Sequence, residues 1–218
     1  MKILLSWSSG KDSAWALHVL RRDGHAVAGL LTSMNETVER VSMHGVREQI
    51  VRAQAAAAGL PLFTIPLPWP CTNAMYESRL RTAVDQAVSD GFTHIAFGDL
   101  FLEDVRQYRE DRLAGTGLSP LFPLWGRPTT ALAREMIAGG LRARIATLDP
   151  RVMPRELIGA EFDEELLRRL PDGVDPCAER GEFHTCAIAG PMFERPIDVT
   201  TGAVVEREGF LYVDLICR

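Results

Sequence analysis

Apolar and amphipathic segments alternate over the first half of the chain. Four continuous apolar runs predict strands at residues 2–6, 26–33, 62–65 and 93–97. Four amphipathic runs between and after them predict helices at residues 12–23, 46–58, 72–90 and 102–113. Because the apolar runs do not alternate with polar residues, we expect strands that are buried on both faces. This order predicts an α/β fold with a doubly wound, mostly parallel sheet and right-handed crossovers.

The pattern changes in the second half of the chain. We expect a short apolar segment at residues 121–125, helices at 129–138 and about 163–170, and strands at 142–148, 183–188, 196–206 and 210–216. The last two strands are joined by a short turn at residues 207–209, which predicts a hairpin. We therefore expect two units, a ligand-binding domain at residues 1–123 and a smaller α+β lobe at residues 124–218.

The segment Ser6-Trp7-Ser8-Ser9-Gly10-Lys11-Asp12-Ser13 lies between the first predicted strand and the first predicted helix. The hydroxyls of Ser8, Ser9 and Ser13 and the free N–H groups at the start of the helix form an anion site. We expect Gly10 to let the backbone turn with a positive φ angle. Lys11 adds a mobile positive charge, and Asp12 adds an oxygen ligand suited to Mg²⁺. A phosphate group with its metal ion is the simplest ligand for this combination.

The Walker A pattern and the use of lysine in the rest of the chain help to define what kind of phosphate site this segment forms. The segment does not match a Walker A loop, because Leu5 stands where the first Gly belongs and Asp12 follows Lys11. The chain contains 24 basic residues, of which only Lys2 and Lys11 are lysines. Lysine is therefore used selectively at this turn, as a compact charge with three donors. The alternative is a helix N-cap made of Ser and Asp, with an incidental lysine.

The segment Ser8-Ser9-Gly10-Lys11-Asp12-Ser13 resembles the Ser-Gly-Gly-x-Asp-Ser PP-loop of the N-type ATP pyrophosphatases, with Ser9 in place of the first Gly. Within that superfamily the chain resembles the diphthine–ammonia ligase family. The further matching segments are His44-Gly45-Val46-Arg47, Phe97-Gly98-Asp99, Pro123-Leu124-Trp125 and Gly181-Glu182-Phe183-His184-Thr185. The resemblance implies a Rossmann-like fold of the adenine nucleotide alpha hydrolase type.

The resemblance also implies a chemistry. ATP and Mg²⁺ would activate a carboxylate as an acyl adenylate with release of pyrophosphate, and ammonia would then give an amide. The implied acceptor is diphthine, a modified histidine on an elongation factor. The implied ATP-binding residues are Ser8, Ser9, Gly10, Lys11, Asp12, Ser13, Thr32 and His44, with Asp12 also the metal ligand. The implied catalytic residues are Lys11, Asp12, Glu182 and His184.

Residues on the acceptor side are expected in two segments. Strand alternation would put Glu182 and His184 on one face, where they would face the crevice and handle ammonia or the acceptor. Glu179 resembles an acidic position of the family's Gly-Glu-x-Gly-Glu segment, although Ala178 replaces the first Gly. Thr185 belongs to the same group. For His184 a structural role is the alternative.

Asp99 and two arginines form the other acceptor-side group. Asp99 ends a predicted strand, where it either holds a metal-bound water or substrate donor, or caps the next helix. Arg106 and Arg109 share one helix face and are suited to a carboxylate or phosphate. The family pattern favours Arg106 as the ligand, whereas Arg109 fits better as part of a solvated, ion-paired face.

Composition excludes several classes of protein. The net charge of −5 and the pI of about 5.6 argue against bulk nucleic-acid binding. No apolar run is long enough to span a membrane, and the apolar start leaves no room for a signal peptide, so we expect a cytoplasmic protein. Four scattered cysteines without a CxxC pair favour reduced thiols and give little support to a zinc site.

The alternatives from the sequence are a tRNA-modifying PP-loop enzyme and a non-catalytic ATP- or AMP-binding sensor. The missing CxxC pair and the acidic pI argue against the first. The intact Lys11-Asp12-Ser13 run argues against the second. The sequence leaves the oligomeric state open, with a homodimer as one option.

Overall fold

The computed structural model describes residues 1–41 and 44–218. Its first sheet contains the strands β1 Ile3–Ser6, β2 Val27–Asn35, β3 Arg40–Val41, β4 Leu62–Leu67, β5 His94–Ala96 and β6 Ser119–Leu121. The strands β4, β2, β1, β5 and β6 are all parallel, and β3 adds a short antiparallel pairing at the end of β2. The predicted mostly parallel sheet is therefore confirmed.

Within the described residues, six α-helices surround and connect the strands. They are α1 Lys11–Arg22, α2 Glu48–Ala57, α3 Asn73–Ser89, α4 Glu103–Leu113, α5 Thr129–Ala138 and α6 Glu164–Arg169, with a 3₁₀ turn at Arg155–Leu157. In the part of the chain that the structure describes, none of these helices is long and apolar enough to cross a bilayer.

The first sheet differs from the expectation at two strands. Strand β3 lies between the strand predicted at 26–33 and the helix predicted at 46–58, where no strand was expected, because two residues paired to a strand end leave no periodic signal. Strand β6 covers Ser119–Leu121, so the short apolar segment expected at 121–125 contains only its last residue. Its Pro120 is tolerated because β6 is an edge strand, where one missing N–H donor leaves no partner unpaired.

A separate antiparallel sheet forms the second lobe. Its strands are β7 Arg142–Leu148, β8 Phe183–Ala189, β9 Val199–Arg207 and β10 Phe210–Cys217, in the order β8-β7-β10-β9. Strands β9 and β10 form the expected hairpin. The predicted smaller α+β lobe is therefore confirmed, although β9 begins three residues later than the pattern suggested.

One hydrophobic cluster runs through both lobes. It joins Trp7 and Trp15 beside the first sheet to Phe162 and Phe183 of the second lobe, and all four side chains are almost completely buried. Burial of a large apolar side chain contributes on the order of 1.5–3 kcal/mol. The lobes are therefore held together by a shared core, which fixes the relative position of the groups at their junction.

An ion-pair cluster on Asp214 also crosses this junction. The carboxylate of Asp214 in β10 accepts from Arg40 of β3 at 2.9 Å and from Arg47 before α2 at 2.8 and 2.6 Å. The hydrogen bond from Arg47, opposed by partial burial and reinforced by Arg40, lowers the pKa of Asp214 to about 2. Asp214 is therefore ionised in the folded protein, where the two arginines stabilise its negative charge.

We predict that Asp214→Asn lowers the free energy of unfolding at neutral pH by roughly 1–2 kcal/mol. The pKa of Asp214 is depressed on folding, so its contribution is complete above pH 3.8, its ordinary pKa, and is lost as the pH falls towards 2. Urea unfolding of both proteins across this pH range measures the effect. The matched control is Glu206→Gln, which removes the exposed pair with Arg155 and should change stability by less than about 0.5 kcal/mol. Equal effects of the two changes would contradict the assignment.

Candidate active site

The turn at residues 8–13 links β1 to α1 and has an unusual backbone. Ser9 has a φ of 71°, in the left-handed region that normally requires glycine. This is the position at which Ser9 replaces the Gly of the PP-loop pattern, so its backbone keeps the conformation that a glycine would adopt. The expected positive φ at Gly10 is wrong, because Gly10 has a φ of −84°.

Gly10 is required by space rather than by its backbone angles. A Cβ atom at Gly10 would lie 2.9 Å from Cε1 of His44 and 3.3 Å from the carbonyl oxygen of Thr185. A Cβ atom at Gly98, at the end of β5, would lie 2.9 Å from the backbone of Asp12. These two glycines therefore let the His44 ring and the end of β5 approach the turn closely.

Strand β8 of the second lobe holds the turn in place. The Ala187 N–H donates to the carbonyl of Ser9 at 2.9 Å, and the Lys11 N–H donates to Oγ1 of Thr185 at 3.0 Å. The fully buried Gln54 of α2 donates to the carbonyls of both Ser9 and Ala187, and its side-chain oxygen accepts from the Trp7 indole. The turn is thus fixed by both lobes.

Lys11 and Asp12 form a buried ion pair on the inner side of the turn. Nζ of Lys11 lies 3.0 and 2.8 Å from the two carboxylate oxygens of Asp12 and also donates to the carbonyl of Cys177. Burial is the strongest influence on the pKa of Lys11 and lowers it, but the negative groups around Lys11, Asp12 first, together raise that pKa. Burial also raises the pKa of Asp12, against the effect of Lys11. The proximity of Asp12 therefore favours the charged form of Lys11, although only 2% of the lysine surface is exposed.

A polar cavity of about 250 Å³ opens in front of this pair. Its wall contains the hydroxyls of Ser8 and Ser13, whose oxygens lie 3.2 Å apart. Its charged groups are Lys11, Asp12, Asp99, Arg109 and Glu179. Hydroxyls and a lysine at the start of a helix suit a phosphate group, whereas three carboxylates require a cation to accompany it.

A second, larger cavity of about 1130 Å³ lies beside the first one. Its wall is mostly apolar and runs from the ends of β1 and β2 to the β9–β10 hairpin. The wall also includes Trp69, from the loop between β4 and α3, and Tyr76 of α3. Thr32 also contributes to this wall. The Thr32 hydroxyl is buried and has no hydrogen-bond partner among residues 1–41 and 44–218.

The two cavities share part of their walls. The shared residues are Ser6, Ser8, His44, Phe97, Arg109 and His184. The rings of His44 and His184 pack on one another at this junction, with centroids 4.6 Å apart. Burial, followed by the positive charge of Lys11, lowers the pKa of His184 to about 4, and burial with the neighbouring His184 lowers that of His44 to about 3.

Glu179 reaches the polar cavity from the loop before β8. Its carboxylate accepts from the Leu100 N–H at 2.7 Å. Burial raises the pKa of Glu179 to about 7, against the effect of that hydrogen bond. Glu179 can therefore hold or release a proton near neutral pH, which suits a group that faces a reacting centre.

Glu182 does not follow the expected geometry. Strand β8 begins at Phe183, so Glu182 belongs to the preceding turn and does not share a strand face with His184. Its two carboxylate oxygens accept from the N–H groups of Asp175 and Arg180 at 3.0 and 3.1 Å, and the residue is only 8% exposed. The expectation that Glu182 faces the crevice is wrong, because both of its oxygens are used to close the turn.

The two arginines of α4 exchange their expected roles. Arg106 pairs with Glu110 at 2.8 Å, and its guanidinium lies over the rings of Phe122 and Trp125, 4.9 and 4.8 Å from their centroids. Arg109 instead lines both cavities and lies 3.4 Å from the carboxylate of Asp99. The spacing alone does not distinguish two residues on the same helix face, and the aromatic neighbours of Arg106 come from a distant segment.

The remaining predicted site residues lie at the turn or beside it. Asp99 lies in the polar cavity and does not cap α4, whose N-cap residue is Leu102. Thr185 also lines that cavity, but its hydroxyl supports the amide of Lys11. The Ser9 side chain is completely buried beneath the turn. Within the described residues, Ser9 therefore contributes its carbonyl and its backbone geometry.

A magnesium site made only of protein ligands is not found in the described ranges, since they contain no group of three or more candidate ligands. Asp12 still fits a shared site, because 26% of its side chain is exposed and it lies in the polar cavity. Mg²⁺ commonly takes one or two carboxylates and completes its shell with phosphates and water. The donor set is therefore compatible with a metal ion that arrives with its phosphate ligand.

Four cysteines are free thiols, as expected. Cys177 and Cys186 are buried, and burial raises the pKa of each thiol to about 12. Thiols of such high pKa are poor nucleophiles at neutral pH. The chemistry of this site therefore belongs to oxygen and nitrogen groups.

Gln54 and Arg109 contribute to the site without having been selected from the sequence. Gln54 lies on the buried face of α2 with Ile50, Val51 and Ala55. A polar side chain on an otherwise apolar helix face is the feature of the sequence that could have identified it. Buried amides of this kind must be hydrogen-bonded, and here the bonds go to Ser9 of the turn at residues 8–13 and to Ala187 of β8. No comparable signal exists for Arg109, because α4 is polar on several faces.

The chain is similar to proteins of one family along nearly its whole length. Residues 1–114 match the model of the diphthamide synthase N-terminal domain, and residues 128–215 match that of the diphthamide synthase C-terminal domain. A protein named diphthine–ammonia ligase from Danio rerio is 26% identical over 99% of this chain and 94% of its own length. Proteins of the same name from Bos taurus and Homo sapiens are 25% and 24% identical, each over 94% of this chain and 85% of its own length.

We predict that Glu182→Gln lowers the free energy of unfolding by roughly 1–3 kcal/mol. The new NH₂ group would face a backbone N–H and leave one buried donor without an acceptor. The matched control is Glu179→Gln, whose remaining carbonyl oxygen can still accept from the Leu100 N–H, so its stability should change by less than about 1 kcal/mol. Chemical denaturation measures both. A Glu182→Gln protein as stable as the parent chain would contradict the structural assignment.

Proposed function

This chain belongs to the diphthamide synthase family, and we propose that it is an ATP-dependent ligase that forms an amide from a carboxylate and ammonia. The observation that carries the proposal is the turn at residues 8–13, which presents a buried lysine, an aspartate and two hydroxyls to one polar cavity. That cavity adjoins a larger apolar one. A nucleotide has the same division, with a charged phosphate chain at one end and a flat base at the other.

ATP would be divided between the two cavities. Its β- and γ-phosphates would occupy the polar cavity, against the start of α1, Lys11 and the hydroxyls of Ser8 and Ser13. The adenosine would occupy the larger cavity, where the unpartnered Thr32 hydroxyl offers a hydrogen bond. The α-phosphate would then lie at the wall that both cavities share, close to His44 and His184.

The reaction begins with attack by the acceptor carboxylate on the α-phosphorus. A new phosphorus–oxygen bond forms, the bond to the β-phosphate oxygen breaks, and pyrophosphate leaves with that electron pair. Ammonia then attacks the carbonyl carbon of the acyl adenylate and displaces AMP. The activated intermediate has to be kept from water, which the deep position of the junction favours.

The protein would stabilise the negative charge that develops on the leaving pyrophosphate. Lys11 is held as a cation by Asp12, and its position is fixed by the carbonyl of Cys177. Fixed charges of this kind lower the barrier because they need no reorganisation during the reaction. Asp12 would also hold Mg²⁺, which neutralises phosphate charge when it is bound.

The acceptor proposed here is diphthine carried on an elongation factor, in line with the names of the relatives. The large cavity is wide, and its rim includes the exposed Trp69 and the tip of the β9–β10 hairpin at Glu208. A side chain that projects from a second protein could enter from this rim. The carboxylate would then reach the α-phosphate from the side opposite the polar cavity.

We predict that ATP is converted to AMP and pyrophosphate, and only when the acceptor is present. The expectation follows from the position of Lys11 and Asp12, which favours departure of the β- and γ-phosphates together. The assay incubates the protein with ATP, Mg²⁺, ammonium and a diphthine-bearing elongation factor, and separates the nucleotides by chromatography. Formation of ADP and orthophosphate would assign the protein to a different class of ATP-using enzyme.

We predict that Lys11→Arg lowers ligase turnover by at least about a hundredfold, the effect expected from loss of one preorganised charge contact. The planar guanidinium of arginine does not fit a buried site shaped for one ammonium group. Lys2→Arg is the matched control, because the other lysine is exposed and lines neither cavity, and its Nζ contacts the carbonyl of Asp90 and the ring of Phe92. It should retain turnover within about twofold. Similar turnover in the two variants would remove Lys11 from the mechanism.

A further inference from the structure

We infer that His44 is the residue that binds ammonia, by accepting one of its N–H groups at Nε2, with His184 holding the His44 ring in place. This inference rests on the proposed function, because it assigns a role in the second half of that reaction. Glu182 and His184 were the groups that the sequence suggested for ammonia. Since Glu182 closes a turn instead, the structure leaves the histidine pair facing the reaction centre.

The first argument is position. His44 and His184 belong to the wall shared by the polar and the apolar cavity. A nucleotide that spans both cavities has its α-phosphate at that wall, and the acyl group of an adenylate is attached to the same phosphate. The nitrogen that attacks the acyl carbon must therefore arrive beside these two rings.

The second argument is the tautomer of His44. Nδ1 of His44 lies 3.1 Å from the carbonyl oxygen of Thr185. A carbonyl oxygen only accepts, so Nδ1 carries the hydrogen and donates it. In the neutral ring the other nitrogen, Nε2, then has no hydrogen and presents a lone pair. A lone pair repels phosphate oxygens but accepts an N–H group, so Nε2 is suited to ammonia rather than to ATP.

The third argument is charge. The two histidines are partly buried, and burial lowers the pKa of each, so both rings are neutral at neutral pH. A neutral ring offers the Nε2 lone pair to an N–H donor, and neutral ammonia is the form of the nitrogen that acts as the nucleophile. The Nε2 acceptor therefore orients ammonia in its reactive form.

The ring of His44 is also held rigidly. It packs on His184 at 4.6 Å, with an angle of 32° between the rings, and it fills the space beside Gly10. Its backbone carbonyl accepts from Oγ1 of Thr147 at 3.0 Å. A rigid acceptor holds a small nucleophile at a defined place without further loss of entropy during the reaction.

In the step that follows, ammonia donates one N–H to Nε2 and directs its lone pair at the acyl carbon. The carbon–nitrogen bond forms, and the bond between the acyl carbon and the phosphate oxygen breaks. That oxygen leaves with the electron pair and takes the surplus proton of the nitrogen, which gives AMP and the amide. No further reagent is needed for the atoms and charges to balance.

The test separates the two halves of the reaction in His44→Phe, which keeps an aromatic ring for stacking but lacks Nε2 and also the Nδ1 bond to Thr185. A diphthine-bearing elongation factor is the acceptor probe and ammonium chloride the nitrogen source. We expect the apparent KM for ammonia to rise, or amide formation at low ammonia to fall, by at least about tenfold, the effect of one lost hydrogen bond in a desolvated site. Exchange of labelled pyrophosphate into ATP, measured without ammonia, should fall far less.

His18→Phe is the matched control, because His18 also stacks on an aromatic ring, that of Trp15 at 4.5 Å, but lines neither of the two cavities described above. It should leave amide formation within about twofold. Unchanged ammonia dependence in His44→Phe would overturn the inference. An equal fall in amide formation and pyrophosphate exchange would also overturn it. His44 would then be needed for the structure of the turn at residues 8–13 or for ATP binding.

A binding measurement decides the inference even if the parent chain gives no amide with this acceptor, which would be a failure of the proposed function. With AMP and Mg²⁺ bound, ¹⁵N spectra of the histidine rings are recorded during titration with ammonium chloride at mildly alkaline pH. The Nε2 resonance of His44 should move, whereas potassium chloride should leave it in place. A His44 Nε2 resonance that does not respond to ammonium overturns the inference.

Discussion

The site depends on the attachment of the turn at residues 8–13 to strand β8. The Ser9 carbonyl and the Lys11 amide are both bound by β8, and Gln54 joins the two segments from a third direction. An anion-binding turn needs its N–H groups directed at one point, and a strained residue such as Ser9 keeps its backbone conformation only where neighbours over-determine it. The second lobe therefore holds in place the turn that we propose binds phosphate.

This attachment also explains why charged and neutral groups can lie so close together. Lys11 is buried with Asp12 and keeps its charge, while the two histidines beside it are kept neutral. Burial raises the cost of any unpaired charge, so each group adopts the form that its immediate partners favour. The charged region that we propose binds phosphates therefore borders directly on the neutral histidine pair that we propose binds the nucleophile.

The sequence predicts the parts of this arrangement that depend on order along the chain. A strand, a polar turn and a helix predicted the position of Lys11 and Asp12, and alternating strands and helices predicted the parallel sheet. The role of Glu182 could not be predicted, because it depends on how the turn from Asp175 to Arg180 closes in space. Periodicity predicts which face of a helix or strand a residue lies on. It does not predict which backbone amide will hydrogen-bond to the side chain.

The same limit applies to the arginines and to Gln54. Arg106 and Arg109 look equivalent on their helix, and only the aromatic rings brought by a distant segment distinguish them. Gln54 carries a partial signal, since a polar residue on an apolar helix face must find partners, but the sequence does not identify those partners. Contacts that form only when the chain folds in space therefore account for what sequence reasoning missed.

The central claim is that one nucleotide spans both cavities with its α-phosphate at the histidine pair. A crystal structure with the non-cleavable analogue α,β-methylene-ATP and Mg²⁺ tests this most directly. We expect the adenosine in the large cavity, the β- and γ-phosphates against residues 8–13, and the α-phosphate beside His44 and His184. Adenosine in the polar cavity, or phosphates bound away from Lys11, would contradict the account.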